Sequence, residues 1–330
     1  MKKTLLLLCS VFIAVFIAQG QPQTPVKVIF DSDMGPDYDD VGAIAMLHAF
    51  ADEGKAEILA TIASTKYPNV AAVFSVLNTY FNRPQLPIAV PKGNALELKD
   101  FQHWTDSLVA NYPHSINSNG ETPGAVELYR RILSGQPDGS VTIVTVGFLT
   151  NLAALMQSLP DEFSPLPGKE LIAKKVKKLV SMAGRFPSGK EFNVDRDFTA
   201  SKYVFDNWQT PVILSGFEIG EKIKCGLPLI NNQSVVHSPV KDVFRISIPL
   251  AEEDKDGRKS WDETAVLVAV EGHEKFYTLQ RGKMIVSGSD GSNTWVNDAN
   301  GNHYYLVEKV PPAEVQQLID KLMMHQPVKK

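Results

Sequence analysis

Cysteine is nearly missing from this 330-residue chain, which has Cys9 and Cys225 and no others. Cys9 lies in an apolar leader, so once that leader is removed no internal disulfide can form, and Cys225 is expected to be a small buried apolar residue. The seven histidines do not cluster with cysteine in a ligand set, which argues against zinc. A net charge of -4 and an isoelectric point near 6.0 give no sign of a nucleic-acid surface. Repeats, heptads and long low-complexity tracts are absent, so residues 21–330 read as one large domain. The one membrane-like run is MKKTLLLLCSVFIAVFIAQG, residues 1–20, with two lysines, an apolar core and a small-residue ending. That is a signal-peptide pattern: cleavage after Gly20 leaves no membrane segment, and export to a periplasm or the extracellular space is expected.

What the chain does have is carboxylate. VKVIFDSDMGPDYDD, from Val26 to Asp40, sets Asp31, Asp33, Asp37, Asp39 and Asp40 directly after an apolar run. Like charges at this density repel each other, and a chain keeps them together mainly where a cation neutralises them. The alternative is an acid-rich loop capping a helix, but capping needs one or two carboxylates. The apolar run reads as a strand and VGAIAMLHAF as the following helix, which puts the acids at a strand mouth, where open α/β sheets bind ligands.

Further strands are expected at Glu57–Ala63, Ile88–Val90, Val141–Val146, Lys178–Ala183 and Pro211–Ser215. Helical patterns at 40–52, 69–81, 124–133, 149–159 and 198–206 separate them. The fold class is therefore α/β: a single-domain open, mostly parallel sheet with helices on both faces. Lys283–Ser287 and His303–Glu308 read as a C-terminal antiparallel hairpin, and Pro311 and Pro312 open a last helix through Met324. The segment Leu98–Thr122, with His103, Trp104 and His114, is the least regular and is expected to be a mobile loop over the site.

The Asp-rich segment resembles the N-terminal signature of the inosine–uridine-type nucleoside hydrolases, a strand ending in D-x-D, then Gly, then a D-D pair opening a helix. Four more pieces follow in that family's order: TVGFLTN (Thr145–Asn151), SMAG (Ser181–Gly184), EFN (Glu191–Asn193) and WDETAVL (Trp261–Leu267). The resemblance implies a Ca²⁺-dependent enzyme that hydrolyses the N-glycosidic bond of ribonucleosides. By position it implies Asp33, Asp40, the carbonyl of Val146 and Asp262 as Ca²⁺ ligands, and Asp33 as general base toward a water. It also implies Asp39, Thr65, Met182, Glu191, Asn193, Trp261 and Asp262 as substrate contacts, and a homo-oligomer, dimer or tetramer. Elementary chemistry agrees, since a hard cation takes six to eight oxygens and carboxylates on separate strand ends supply them. Taken singly, Asp262 also reads as a helix cap, Glu191 and Asn193 as solvated loop residues, and Met182 foremost as core or lining.

Two departures matter. The spacing from Asp33 to Asp39 is two residues longer than in the compact pattern D-x-D-P-G-x-D-D, which leaves Asp37 as an acid behind the ligands, an added ligand or a solvated turn residue. Trp261 stands where many members have a histidine that protonates the leaving base. An indole cannot release its proton at a useful pH, but its face can stack on a flat base, so a purine preference is expected, with Trp104 as a second stacking face. Two other classes remain: a phosphatase of the haloacid-dehalogenase type, on the D-x-D start, and a nucleoside- or sugar-binding protein without turnover.

Overall fold

The computed structural model describes residues 24–328; the leader and Cys9 lie outside them. The chain opens with β1 (Val26–Ser32), α1 (Asp39–Asp52), β2 (Ala56–Ala63), α2 (Val70–Tyr80) and β3 (Ile88–Ala89). It continues with α3 (Trp104–Asn111), α4 (Ala125–Ser134), β4 (Val141–Thr145), α5 (Thr150–Gln157), α6 (Gly168–Lys175) and β5 (Val176–Met182). Then come β6 (Ser188–Gly189), α7 (Phe192–Arg196), α8 (Phe198–Asn207), β7 (Val212–Ser215), α9 (Phe217–Gly220), β8 (Lys224–Cys225), α10 (Leu227–Asn231) and α11 (Pro239–Ser247). β9 (Arg258–Lys259), α12 (Trp261–Glu271), β10 (Tyr277–Val286), β11 (Asn293–Val296), β12 (His303–Glu308) and α13 (Pro312–Met323) complete it.

Ten of these strands form one sheet in the order β3-β2-β1-β4-β5-β7-β12-β10-β11-β6, parallel from β3 through β12. The parallel strands are apolar almost throughout because both faces are covered. One apolar layer packs α1, α2, α11, α12 and α13 on one face, and a second packs α4, α5, α6 and α8 on the other. Chain order runs outward from β1 to β3 and then returns to the far side of β1 at β4. That reversal opens a crevice at the C-terminal ends of β1 and β4, the place where such sheets receive ligands.

The C-terminal strands differ from the expected hairpin. Lys283–Val286 pairs antiparallel with β11, and His303–Glu308 pairs instead with the earlier half of β10, Tyr277–Gly282. β10 is ten residues long and serves two partners in succession, while β11 arises from residues that read as part of a polar turn. The segment 98–122 also differs, since it is partly helical rather than an irregular loop. Asp100 accepts from the backbone N–H of Gln102 (2.9 Å) and Thr105 (2.8 Å), which starts α3 without a cap at the helix boundary itself. Ser75 and Asn119 tie the rest of the segment to α2.

Candidate active site

The crevice is built from strand ends. Asp31 and Thr145 are register partners across β1 and β4, Thr145 pairs in turn with Ser181 of β5, and Val146 donates its N–H to the Asp31 carbonyl at 2.8 Å. The Asp31 side chain points away from the crevice and accepts from Tyr129 Oη (2.8 Å) and Asn151 Nδ2 (3.0 Å). Burial raises its carboxyl to about 7 against these hydrogen bonds, so it braces the strand end. Asn151, the last residue of TVGFLTN, also donates to the Ala63 carbonyl at 2.7 Å and so ties the ends of β1 and β2 to the start of α5.

Gly147 lets β4 approach β1 this closely: a Cβ there would sit 2.5 Å from Ser64 Oγ and 2.8 Å from Asp33 Cβ. Gly147→Ala is expected to cost about 2 kcal/mol through overpacking and to shift Asp33. A lowered Tm together with a fall in kcat would show both effects; an unchanged Tm would mean that the strands yield freely.

Asp33, Asp40 and Asp262 meet where β1, α1 and α12 converge, each at most 4% exposed. Asp40 Oδ1 accepts from Ser32 Oγ at 2.5 Å, but Asp40 Oδ2 and Asp33 Oδ2 are buried with no hydrogen-bond partner. Burial and then the Asp40 charge hold the Asp33 carboxyl well above its ordinary range; Asp262 is raised likewise by burial and Asp40. Burial lifts Asp40 itself to about 6 and Glu263, beside Asp262, to about 8. Unpartnered carboxylate oxygens in a dry cluster are a donor set that suits a hard divalent cation.

One carboxylate oxygen from each of Asp39, Asp40 and Asp262 lies within 4.8 Å of the others. Asp39, however, is already engaged: Oδ1 takes Arg258 Nε (3.1 Å) and Nη2 (2.7 Å), and Oδ2 takes the N–H groups of Trp261 (3.2 Å) and Asp262 (3.3 Å). Asp33 and Asp40 keep free oxygens, whereas both oxygens of Asp39 are spent.

The outer cleft, about 350 Å³ including its mouth, is polar on one wall and aromatic on the other. Glu191 caps α7, accepting from the N–H groups of Asn193 (2.7 Å), Val194 (3.2 Å) and Gly184 (3.0 Å). It is 4% exposed rather than solvated, and burial raises its carboxyl to about 7. Asn193 Nδ2 reaches the carbonyls of Val146 (3.3 Å) and Met182 (3.2 Å), so both carbonyls and the Met182 side chain face the same wall. Trp261, Phe217 and Phe192 form the aromatic wall; the Trp261 and Phe217 rings lie 5.1 Å apart at 37°. The indole N–H of Trp261 is spent on the Phe217 carbonyl at 2.8 Å.

Several sequence expectations are corrected here. Thr65 does not line the cleft: it is fully buried, and its hydroxyl donates to the Leu96 carbonyl at 3.0 Å. Trp104 is buried in the core beneath α3 and presents no face to the cleft. His103 is 76% exposed on its side chain, facing Asp106, and His114 likewise lies away from the cleft. Asp37, about a third exposed, pairs with Arg258 at the cleft rim, as an acid set behind the ligands would. Cys225 is buried, as expected, and its thiol meets Glu263 at 3.4 Å.

Arg258 and Phe217 escaped the sequence reading. Phe217 has no local signature, and an arginine three positions before Trp261 looks like any surface cation until the fold encloses it.

The sequence pattern of the family described as inosine-uridine preferring nucleoside hydrolase matches residues 28–322. Among curated proteins, the pyrimidine-specific ribonucleoside hydrolase RihA of Salmonella schwarzengrund (strain CVM19633) is 27% identical over 232 residues, covering 66% of this chain and 68% of that protein. Among solved structures, a plant nucleoside hydrolase superposes with a TM-score of 0.69 at 21% identity, over 91% of this chain and 99% of the other. The purine-preferring ribonucleoside hydrolase of Gardnerella vaginalis gives 0.69 at 18% identity, over 90% and 98%.

Proposed function

This chain belongs to the inosine-uridine preferring nucleoside hydrolase family, and on that premise we propose that it is a Ca²⁺-dependent ribonucleoside hydrolase that prefers purine bases and works outside the cytoplasm. Membership itself establishes a hydrolase acting on N-glycosyl compounds, with a small nucleoside as substrate. It also sets the phosphatase class aside.

The observation that carries the finer reading is the pairing, across one cleft, of Asp33, whose buried Oδ2 has no partner, with a wall of three aromatic rings. A bound divalent cation would supply Lewis acidity and make a nearby water easier to deprotonate. Asp33 Oδ2 is free to accept that water's proton. Loss of the base leaves positive charge on the ribosyl ring, and the carboxylates of Asp33, Asp262 and Glu191 on the cleft wall offset it. Asn193 and Glu191 stand where sugar hydroxyls can be gripped.

For the leaving base, no histidine lines the cleft among the described residues, and the Trp261 N–H is already bonded. What the aromatic wall offers is a stacking face, worth about 1 to 3 kcal/mol per base and larger for a two-ring system. The purine preference stands against the specificity of the Salmonella relative, which is pyrimidine-specific.

A nucleoside panel tests the reading. Base release from inosine and guanosine is expected, with slower release from uridine and cytidine. Trp261→Ala is expected to lower kcat/KM for purines about tenfold or more, and for pyrimidines by less. Equal losses would remove the stacking argument, and tight nucleoside binding without any release would favour the non-catalytic binding protein.

A further inference from the structure

We propose that Arg258 stands in for a second cation in the acid cluster and confines the divalent ion to the half formed by Asp33, Asp40 and Asp262. The proposal rests on the metal-dependent reading of the site and extends it to a residue outside the ligand set.

Asp33, Asp39, Asp40 and Asp262 place four carboxylates in one buried volume. A single divalent ion offsets two of those charges, which leaves a buried excess that a dry site tolerates poorly. Arg258 supplies a third positive charge from within the chain. Its guanidinium belongs to a residue 9% exposed and forks onto one oxygen of Asp39 while also pairing with Asp37 and with Asp254 Oδ2 at 3.4 Å. The rings of Tyr38 and Trp261 lie against it, with centroids 4.7 Å and 5.2 Å from the guanidinium carbon.

The placement is selective. By distance alone Asp39, Asp40 and Asp262 would form a cation cage. Arg258 and two backbone N–H groups consume Asp39 completely, whereas the oxygens left without partners belong to Asp33 and Asp40. The loop lengthened by two residues contributes to this arrangement, since it carries Asp37, which holds the outer side of the guanidinium. A planar five-donor cation that stays charged suits this role better than a lysine would.

The test measures metal stoichiometry and affinity on metal-stripped full-length protein, by equilibrium dialysis and calorimetric titration with Ca²⁺. The wild type is expected to bind one ion at this site. Arg258→Met, which removes charge at similar volume, is expected to take up a second ion or to bind the first at least about tenfold more tightly, because a divalent charge a few ångströms away no longer meets a competing cation. In the double variant R258M/D39N the pair is removed together, and the amide oxygen still accepts the Trp261 and Asp262 N–H groups. One ion with affinity within about twofold of wild type is then expected.

A single ion of unchanged or weaker affinity in R258M overturns the proposal. So does a loss of more than tenfold in the double variant, which would make Asp39 a ligand. If R258M does not fold, the double variant decides. Neither readout uses turnover, so a chain that bound one ion and cleaved no nucleoside would defeat the hydrolase reading and leave this one standing.

Discussion

Asp33→Asn is expected to lower kcat for nucleoside hydrolysis by about 10³- to 10⁴-fold, the scale on which a positioned base acts together with the charge it places near the reaction. Asp33 has an oxygen with no partner in the protein, at the mouth of β1, beside Asp40 and on the wall of the cleft. The amide keeps the size and one acceptor but cannot take a proton. Asp33 also belongs to the candidate cation set, so KM and metal affinity are expected to weaken as well; a variant that retained most of its kcat would place the base elsewhere. Circular dichroism should be unchanged, because Asp33 Oδ2 supports no other part of the fold.

Removing the divalent ion is expected to abolish turnover and to reverse the pH dependence of stability. In the metal-free protein, burial holds Asp33 and Asp262 well above the ordinary carboxylate range and lifts Asp40 to about 6 and Glu263 to about 8. Each group then keeps its proton when folded over a range where the unfolded chain releases it. The folded state binds more protons, and stability falls as pH rises from about 4 toward 8. The stripped protein should therefore have a higher Tm at pH 5.5 than at pH 8.

Metal binding needs the ionised carboxylates, so protons compete with it and affinity rises with pH. The gap between loaded and stripped Tm should widen with pH and reach roughly 5 °C at pH 7.5 with ion at a hundredfold excess over Kd. A gap that narrows as pH rises would contradict the placement of the ion among these acids.

How much of this could be read without coordinates depends on the kind of signal. Six of the seven parallel strands and the helices between them show in the sequence because burial on both faces writes continuous apolar runs, and amphipathic helices write a periodic pattern. The acids after β1 show because charge repulsion makes such a run unusual. β11 and the helix α3 did not show, since a short, half-exposed strand and a polar eight-residue helix leave no apolar period to read.

The site divides along the same line. Asp33, Asp40, Asp262, Glu191 and Asn193 sit in ordered motifs, and the fold brings them to one crevice because strands β1, β4 and β5 end together there. The resemblance implies Thr65, and its place in the 98–122 segment suggests Trp104, yet their side chains turn inward to a carbonyl and to the core.

The parallel core of the sheet, the mouth at which carboxylates gather and the family to which the chain belongs are legible without coordinates, because each rests on local patterns of apolarity and charge. Only the tertiary structure decided which acids are free and which are spent. Arg258 meets Asp39 across 219 positions of chain, and whether a carboxylate is paired, bare or solvated depends on which distant loop arrives beside it.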